Sequence, residues 1–503
     1  MNRMDAYAAL LSLWREAHLI ASSAATLEWE QQTTLPTRAS EYRAQQIAYL
    51  AGLHHEKSTD PRVGDLLHQL ESSPVEGDPL SVEAVNVREI RRAYDRQTKL
   101  SKSLVEALAQ TCSLAQHEWA RARQERDFAH FQPWLSKVIE LTKSKAIALD
   151  PQAPAYDTLL DEYERGTTTS QVEEVFTALR EPLVRLVQQI GQAKRSAPTE
   201  ILHRSYPNDR QQIFGEMAAA EIGFDFDRGR LDTTTHPFCT TLGPHDCRIL
   251  TRYNAHYFNE SFFGILHEAG HGLYEQGLQP EHFGTPMGEA VSLGIHESQS
   301  RFWENQVGRS RPFWNRFFPR ARGVFREALR SVSVDDFHFA VNGVAPSFIR
   351  VEADEATYNL HVMIRFELEQ AIVSGDLPIA DIPRVWNEKY RDYLGITPSN
   401  DAEGCLQDVH WSAGLIGYFP TYTLGNVYSA QISQAADRDL GGIDGLIERG
   451  EFRSLLDWLR DRIHRHGKRY SPRELVRQAT GQDLSPAPLL QSLREKLSSL
   501  YGL

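Results

Sequence analysis

Residues 258–277 read Phe-Asn-Glu-Ser-Phe-Phe-Gly-Ile-Leu-His-Glu-Ala-Gly-His-Gly-Leu-Tyr-Glu-Gln-Gly and contain the run His267-Glu268-Ala269-Gly270-His271. Apolar residues recur through this stretch at the spacing of an amphipathic helix. Asn259 is expected to cap that helix and Gly277 to end it. Two glycines in the helix interior each cost about 1 kcal/mol relative to alanine, so close packing must compensate for them.

The His-Glu-x-x-His spacing has a physical cause. Residues four apart on a helix lie on one face, so the imidazoles of His267 and His271 can bind the same ion. Two such histidines with a carboxylate form the ligand set of catalytic zinc sites, although cobalt can substitute for zinc there. Glu268 adjoins the first ligand and points beside the metal. We expect it to take a proton from zinc-bound water and later to deliver it to a leaving amine.

A catalytic zinc site needs a third protein ligand and one open position. Glu275 is excluded, because eight residues along a helix place it about 12 Å from the level of His267. The extended pattern with a third histidine is also absent, since Tyr274 and Gly277 stand at those positions. The third ligand is therefore expected from another element.

The next predicted helix, Glu289 to Asn305, offers two carboxylates that could reach the histidines, Glu289 and Glu297. We favour Glu297, because the two-histidine site takes its carboxylate from a following helix. His296 or Ser298 could support it from behind. Spacing alone leaves the choice between the carboxylates open.

The composition bounds the class of protein. The chain has 503 residues, of which 41% are hydrophobic and 24% charged, as is ordinary for a globular protein. A formal net charge of -13 argues against nucleic acid as a partner, because binding to phosphate backbones needs clustered Lys and Arg. No apolar stretch approaches the roughly 18 residues that span a membrane.

The cysteines and the first residues bear on location. The chain has 4 cysteines, at 112, 239, 247 and 405, and no Cys-x-x-Cys pair, which indicates free thiols in a reducing compartment. Asp5 and then Trp14-Arg15-Glu16 interrupt the apolar run that a signal peptide would need. We therefore expect a cytoplasmic location.

Helical periodicity runs from Ala6 to about Arg195, and the stretch Cys247 to Tyr253 alternates as a short strand does. Ser347 to Val351 is a second strand candidate, and helical patterns resume from Tyr358 to Val373 and from Leu446 to Leu503. Breaks in the helical part are expected at Ser58 to Pro61, Ser73 to Pro79, Pro151 to Pro154 and Ser196 to Pro198. The pattern predicts a mainly α fold with a small β-sheet next to the metal site.

Further segments of the chain match the signatures of one family. They are His236-Pro237-Phe238, Asp246-Cys247-Arg248, His296-Glu297-Ser298, Ile349-Arg350-Val351-Glu352-Ala353-Asp354 and Gly404-Cys405-Leu406-Gln407-Asp408-Val409-His410-Trp411. Similar stretches occur earlier, at Trp29-Glu30-Gln31-Gln32-Thr33 and Tyr156-Asp157-Thr158-Leu159-Leu160-Asp161. With these motifs in this order, the chain resembles the carboxypeptidase Taq family of zinc metallocarboxypeptidases over nearly its whole length.

The resemblance implies a mainly α, thermolysin-like gluzincin fold with a small β-sheet next to the active site and a long central substrate groove. It favours Glu297 as the third ligand. It also implies a homodimer that releases C-terminal amino acids from peptides with broad specificity, except near proline. We expect a single peptidase unit over residues 1–503, with a helical N-terminal lobe at 1–200 and the catalytic part at 201–503.

The chain departs from the family's pattern at three positions. Leu250 stands where the family usually has the Thr of its Asp-x-Arg-x-Thr element, which puts in doubt any hydrogen bond assigned to that hydroxyl. Glu30 replaces a commoner Asp, and Cys239 follows His-Pro-Phe where Thr is usual. None of these positions is a predicted zinc ligand.

A carboxypeptidase must bind a free terminal carboxylate, and arginine suits this task because its planar fork donates two parallel hydrogen bonds. Arg350 is the first candidate and Arg248 the second. The alternative is a structural ion pair within each motif, with Asp354 or Asp246, and the residues alone favour that alternative.

A developing oxyanion needs a hydrogen-bond donor besides the metal, and His410 and Tyr422 are candidates. By resemblance to related gluzincins, His236 and His410 would contact substrate carbonyls, and Tyr422 would hydrogen-bond the tetrahedral intermediate. Gln407, which lies in the same signature as His410, joins the predicted substrate-binding set. The alternative for each residue is a structural role, in which its polar atoms form hydrogen bonds within the protein.

Two other functions stay open at this stage. One is a metallo-oligopeptidase or endopeptidase, which would use the same zinc chemistry without reading the terminal carboxylate. The other is a helical binding scaffold with a vestigial metal site, although the intact Glu268 argues against it.

Overall fold

The structure is a computed structural model that describes residues 2–72 and 77–503. The break predicted at Ser73 to Pro79 falls largely on residues 73–76, outside the described residues. Within the described part, every helix is too short or too polar to cross a lipid bilayer.

The chain before residue 200 is helical, as its periodicity predicts. Several of these helices begin where a hydroxyl accepts a hydrogen bond from a backbone N–H, as Ser101 does from Leu104 and Thr168 from Gln171. The helices are α1 (Arg3–Thr33), α2 (Ser40–Ser58), α3 (Pro61–Ser72), α4 (Val82–Thr98), α5 (Lys102–Glu125), α6 (Phe128–Leu149), α7 (Ala155–Leu160) and α8 (Thr169–Gly191).

A three-stranded sheet and the helices beside it form the middle of the chain. The sheet has the order β1–β3–β2, with β1 parallel and β2 antiparallel to β3. The elements are α9 (Asn208–Ile222), β1 (Gly229–Thr233), β2 (Cys239–Gly243), β3 (Asp246–Thr251), α10 (Phe258–Glu275), α11 (Leu293–Arg301), a π-helical segment (Phe302–Val307), α12 (Arg311–Val324), α13 (Arg326–Leu329) and α14 (Val334–Val341).

The last part of the chain is again helical and covers the central helices. Its elements are α15 (Thr357–Ser374), α16 (Ile382–Leu394), α17 (Pro420–Leu440), α18 (Ile443–Arg449), α19 (Phe452–Arg462), α20 (Pro472–Thr480) and α21 (Ala487–Tyr501). The predicted mainly α fold with a small sheet next to the His-Glu-x-x-His helix is confirmed, because β3 packs on α10.

One large hydrophobic core runs from Ala115 in α5 to Tyr501 in α21 and includes the buried face of α10. A smaller cluster joins α1, α3 and α4 through Ala6, Leu10, Val63, Leu66, Leu67, Leu70, Val87 and Ile90. The larger core is continuous across residue 200, so its apolar packing joins the two predicted lobes. The division at that residue stays a prediction.

The strand predicted at Ser347 to Val351 is wrong, because Arg350–Glu352 is a short 3-10 turn. The backbone N–H of Arg350 donates to the side-chain oxygen of Gln407, 2.9 Å away, instead of to a neighbouring strand. An alternating apolar pattern therefore marks a half-buried connection here, and a side chain satisfies the backbone N–H of Arg350.

Two predicted helix starts are also wrong. Helix α10 begins at Phe258 with Tyr257 as its N-cap residue, so Asn259 lies inside the first turn and does not cap it. The helix predicted from Glu289 begins only at Leu293, where the hydroxyl of Ser292 accepts a hydrogen bond from the backbone of α11. Helix ends depend on local caps that periodicity does not reveal.

Candidate metal centre

Helices α10 and α11 bring His267, His271 and Glu297 together, as the sequence predicted. The Nε2 atoms of His267 and His271 lie 3.6 Å and 3.4 Å from the same carboxylate oxygen, Oε2 of Glu297. All three candidate ligand atoms lie within 4.8 Å of one another. The alternative ligand Glu289 is paired with Lys468 instead.

Two glycines allow these elements to approach one another closely. A Cβ on Gly270 of α10 would lie 2.6 Å from the backbone oxygen of Gln299 and from Cα of Ser300, both on α11. A Cβ on Gly425 of α17 would lie 2.5 Å from Cγ of Glu297. Gly270, which costs helix stability in α10, thus allows the close contact with α11, the helix that carries the Glu297 carboxylate.

The donor set fits a zinc ion. Nitrogen and oxygen ligands at about 2.0–2.2 Å in tetrahedral geometry lie roughly 3.3–3.6 Å apart, close to the two distances measured to Glu297. The set of two imidazoles and one carboxylate also leaves one coordination position open, as catalytic sites require. The residues present therefore suit the metal that their pattern predicted.

A layer of charged residues stands behind the ligands, and the sequence analysis did not identify it. Nδ1 of His267 lies 2.9 Å from the carboxylate of Glu304, and Arg301 bridges Glu304 and Glu297 at 3.1 Å and 2.7 Å. Although burial alone would raise it, Arg301 and His267 lower the pKa of Glu297 well below its usual value. Arg301 and Glu304 follow Glu297 by four and seven residues, a helical spacing that could have revealed them.

Glu304 lies on the π-helical segment that follows α11. Single π-helical turns within helices are often found at functional sites, because they turn a side chain away from the α-helical register. Burial raises the pKa of Glu304, but Arg301 and His267 lower it by more, so that the pKa is about 2 and the carboxylate is ionised. It is therefore an acceptor for the Nδ1 proton of His267.

Glu268 is buried, with 6% of its surface exposed. Burial raises its pKa to about 7, with an opposing effect from His267 and a further increase from Glu297. A carboxylate with a pKa near neutrality can both accept and release a proton at physiological pH. The environment of Glu268 thus suits the proton transfer predicted for it.

Arg350 is also buried and is paired with a different partner from the one considered in the sequence. Its Nε and Nη2 lie 3.0 Å and 2.9 Å from Oδ1 of Asp408, and its Nη1 donates to the hydroxyl of Tyr358 at 2.9 Å. Asp408 is shared with Arg365. Asp354 does not pair with Arg350; its carboxylate accepts hydrogen bonds from the first turn of α15 at Thr357.

Arg248 pairs with Asp246 through two hydrogen bonds of 2.9 Å, as the structural alternative predicted. Its guanidinium carbon lies 4.1 Å from the ring centroid of Trp29, at the end of α1. Stacking on an aromatic face leaves the outer N–H groups of a guanidinium available to a ligand. Next to it on β3, Leu250 is fully buried, and the hydroxyl of Thr251 has no hydrogen-bond partner within the described part of the chain.

The structure brings His410 and Tyr422 together. Nε2 of His410 lies 3.1 Å from the hydroxyl of Tyr422, while Nδ1 of His410 is buried without a partner among the described residues. Burial, followed by the charge of Arg350, lowers the pKa of His410 to about 3. Burial raises the pKa of Tyr422 well above its usual value. Both side chains are therefore neutral near pH 7 and able to donate hydrogen bonds.

Gln407 and His236 differ in their surroundings. The side-chain oxygen of Gln407 accepts from the backbone of Arg350, and its amide nitrogen lies 2.9 Å from the carbonyl oxygens of Phe348 and Glu403. Gln407 therefore fixes the chain around Arg350. His236 is exposed in the connection between β1 and β2.

Comparisons with known proteins find similarity over nearly the whole chain. A family profile described as carboxypeptidase Taq (M32) metallopeptidase matches residues 9–497. Thermostable carboxypeptidase 1 of Thermus thermophilus is 50% identical over 511 residues and covers 100% of both chains. Carboxypeptidase 1 of Bacillus subtilis is 39% identical, with 96% of each chain covered. The crystal structure of the M32 carboxypeptidase from Deinococcus radiodurans R1 superposes with a TM-score of 0.96 at 40% identity, covering 99% of this chain and 100% of that one.

Proposed function

The chain belongs to the carboxypeptidase Taq (M32) family and is a metallocarboxypeptidase, and on this basis we propose that it uses zinc held by His267, His271 and Glu297 to release C-terminal amino acids from peptides. The observation that supports this site best is the convergence of two Nε2 atoms on one oxygen of Glu297, at 3.6 Å and 3.4 Å. In this proposal Glu268 is the general base.

When bound, zinc supplies Lewis acidity, which polarises the scissile carbonyl and makes water a better acid. Glu268 takes one proton from the attacking water as the water oxygen bonds to the carbonyl carbon. The same carboxyl group then delivers that proton to the amine nitrogen as the C–N bond breaks. Tyr422 donates a hydrogen bond to the oxygen that gains charge, and His410 orients it by donating from Nε2 to the Tyr422 hydroxyl. His236 contacts a substrate carbonyl.

We propose that Arg350 or Arg248 binds the terminal carboxylate, with Gln407 holding the segment around Arg350. The N–H groups of Arg350 are partly used by Asp408 and Tyr358, but a guanidinium has five donors, so two remain. A substitution by lysine at either position keeps the charge and loses the fork. We expect the lysine substitution at the carboxylate-binding position to raise KM by about 10-fold or more, and the other to change KM little.

Mass spectrometry of the products from a short unblocked peptide tests the reaction. We expect sequential loss of single residues from the C-terminus, loss of activity with a chelator, and recovery with zinc. The same peptide with a C-terminal amide should be cleaved much more slowly, because the arginine then lacks its carboxylate partner. Internal cleavage of the amide at an equal rate would support an endopeptidase instead.

The finer properties also remain proposals. We propose zinc as the native metal with cobalt as a competent substitute, broad side-chain specificity with slow release next to proline, and a homodimer. The unpaired Cys112, Cys239, Cys247 and Cys405 support a reducing compartment such as the cytoplasm. Sedimentation of the purified protein tests the homodimer, and a panel of peptides with varied last residues tests the specificity.

A further inference from the structure

The second metal-binding histidine has a supporting partner of an unusual kind. Nδ1 of His271 lies 2.5 Å from Nδ1 of His296, and the two rings meet edge to edge, with centroids 4.4 Å apart and planes 26° apart. Nε2 of His296 lies 2.9 Å from Oε1 of Glu275. The other oxygen of Glu275 accepts a hydrogen bond of 2.9 Å from the hydroxyl of Thr241 on β2. A continuous chain of polar contacts therefore runs from the metal centre to the sheet.

The metal-binding atom of His271 determines which atoms in this series of contacts donate and which accept. Nε2 of His271 faces the carboxylate of Glu297 and must carry a lone pair to bind a metal, so Nδ1 carries the proton. That proton can only be donated to His296, whose Nδ1 is then the acceptor. His296 consequently carries its own proton on Nε2 and donates it to Glu275, a carboxylate that only accepts.

The two histidine ligands thus differ in how a carboxylate reaches them. His267 contacts the carboxylate of Glu304 directly at 2.9 Å, whereas His271 reaches that of Glu275 only through His296. Glu275 follows His271 by four residues on α10, so both side chains lie on one face of the helix. Glu275 lies too far along α10 to be a ligand, and this position instead brings its carboxylate to His296.

We propose that His296 and Glu275 form a relay that orients His271 and strengthens it as a metal ligand. Both are positioning residues, since neither reaches the reacting atoms. Partners of this kind fix the tautomer and the ring orientation of a ligating histidine, and their loss typically weakens metal binding about 10- to 100-fold. The inference rests on the proposed metal centre and extends it to a residue pair outside the ligand set.

Metal affinity of variants at His296 tests the relay. His296→Phe keeps an aromatic ring beside His271 but removes both hydrogen bonds. His296→Gln offers an amide oxygen to His271 and an amide N–H to Glu275, at about the separation of the ring nitrogens. Titration of metal-free protein with zinc against a chromophoric chelator should show a dissociation constant raised about 10- to 100-fold for His296→Phe. For His296→Gln we expect a change within about threefold, because the relay is rebuilt.

A matched substitution controls for the general cost of losing a histidine near α10. His464 is buried, packs against Tyr274 with ring centroids 5.0 Å apart, and contacts Gln299 through Nε2 at 2.9 Å. His464→Phe should lower the melting temperature of the metal-free protein as much as His296→Phe does, or more. Its zinc affinity should stay within about threefold of the wild type, because it leaves the relay intact.

A double-mutant cycle tests whether Glu275 acts through His296. Glu275→Leu should weaken zinc binding in the wild-type background but add little in the His296→Phe background. The relay would be overturned if zinc affinity were unchanged in His296→Phe, or if His296→Phe and His296→Gln lost equal affinity. A similar loss of zinc affinity in His464→Phe, or additive effects in the cycle, would overturn it as well. Those outcomes leave the proposed function standing, whereas a wild-type protein that binds no zinc would overturn both.

Discussion

At the scale of single residues, the buried carboxyl group of Glu268 is the clearest case of a side chain tuned by its surroundings. Burial raises its pKa to about 7, and removal of the charge should therefore affect proton transfer more than binding. We expect Glu268→Gln to lower kcat by about 100- to 10,000-fold, with KM changed much less. Steady-state kinetics on an unblocked dipeptide substrate measures both constants.

The zinc content of the same variant separates catalysis from metal binding. Glu268 is not one of the three converging ligand groups, so Glu268→Gln should bind zinc as tightly as the wild type. If the variant instead lost zinc together with activity, Glu268 would be a structural part of the metal centre. Retention of more than a tenth of the wild-type kcat would rule out its role as the general base.

A second buried carboxyl group should control how stability depends on pH. Glu369 accepts hydrogen bonds from Tyr156, Trp411 and the backbone of Gly417, and burial raises its pKa to about 7. A carboxyl group with a folded-state pKa above its unfolded value gives stability that is complete below about pH 4.5 and is lost as pH rises to about 7. Over this window the free energy of unfolding should fall by roughly 3 kcal/mol on account of Glu369.

Glu369→Gln cannot titrate, so its free energy of unfolding should fall less between pH 5 and 7 than that of the wild type. The variant is expected to be less stable at pH 5, because one amide hydrogen atom must face a former donor. Urea unfolding at several pH values gives both curves. Parallel curves for the two proteins would show that Glu369 does not titrate in this range.

Sequence reasoning found the two histidines from their spacing and Glu297 with the help of the family resemblance. It missed Arg301 and Glu304 behind the ligands and the acidic partner of Arg350. His267 and His271 lie on one helix face, so the pattern alone brought them together. Asp408, the partner of Arg350, lies 58 residues away in sequence, and no spacing rule connects them. The roles predicted for the substrate-binding residues remain untested predictions.

At the scale of elements, the contact between α10 and α11 determines the position of Glu297. Gly270→Ala would place a Cβ 2.6 Å from backbone atoms of α11, which cannot rotate away as a side chain can. We expect α11 to shift and zinc affinity to fall at least 10-fold, even though alanine favours the helical conformation by about 1 kcal/mol over glycine. Chelator competition measures the affinity.

Gly52 provides the matched control for that substitution. It lies inside α2, and a Cβ there would meet nothing within 4 Å. Gly52→Ala should leave zinc affinity unchanged and raise the free energy of unfolding by up to about 1 kcal/mol. Equal zinc affinities for Gly270→Ala and the wild type would show that the contact does not position the ligand.

Element types followed from periodicity, while element ends and one connection did not. The strand at Cys247 and the helix from Tyr358 agree with β3 and α15, because burial on one face leaves a pattern in the sequence. The segment at Ser347 has a strand-like pattern, but its backbone is satisfied by Gln407, a residue distant in the sequence. Such contacts override local propensity.

At the scale of the whole molecule, α1 and α2 depend on few buried contacts. The small cluster that includes α1 is separate from the large core, and Ser58 is the buried residue of α2. Regions with few buried apolar contacts open at lower free energy than the core. Amide hydrogen exchange followed by mass spectrometry should therefore be faster in α2 than in α10 or α17. Equally slow exchange in all three helices would contradict this.

Trp29 links this outer part of the molecule to the sheet beside the metal centre. Its ring lies 4.1 Å from the guanidinium carbon of Arg248 and 5.3 Å from that of Arg230. Removing the ring should free the end of α1, so Trp29→Ala should accelerate exchange in α1 and α2 without changing α17. Trp134→Ala is the control, since that partly buried ring stacks with Lys137 on α6, away from this contact. Unchanged exchange in Trp29→Ala would show that the contact with Arg248 and Arg230 does not hold the end of α1.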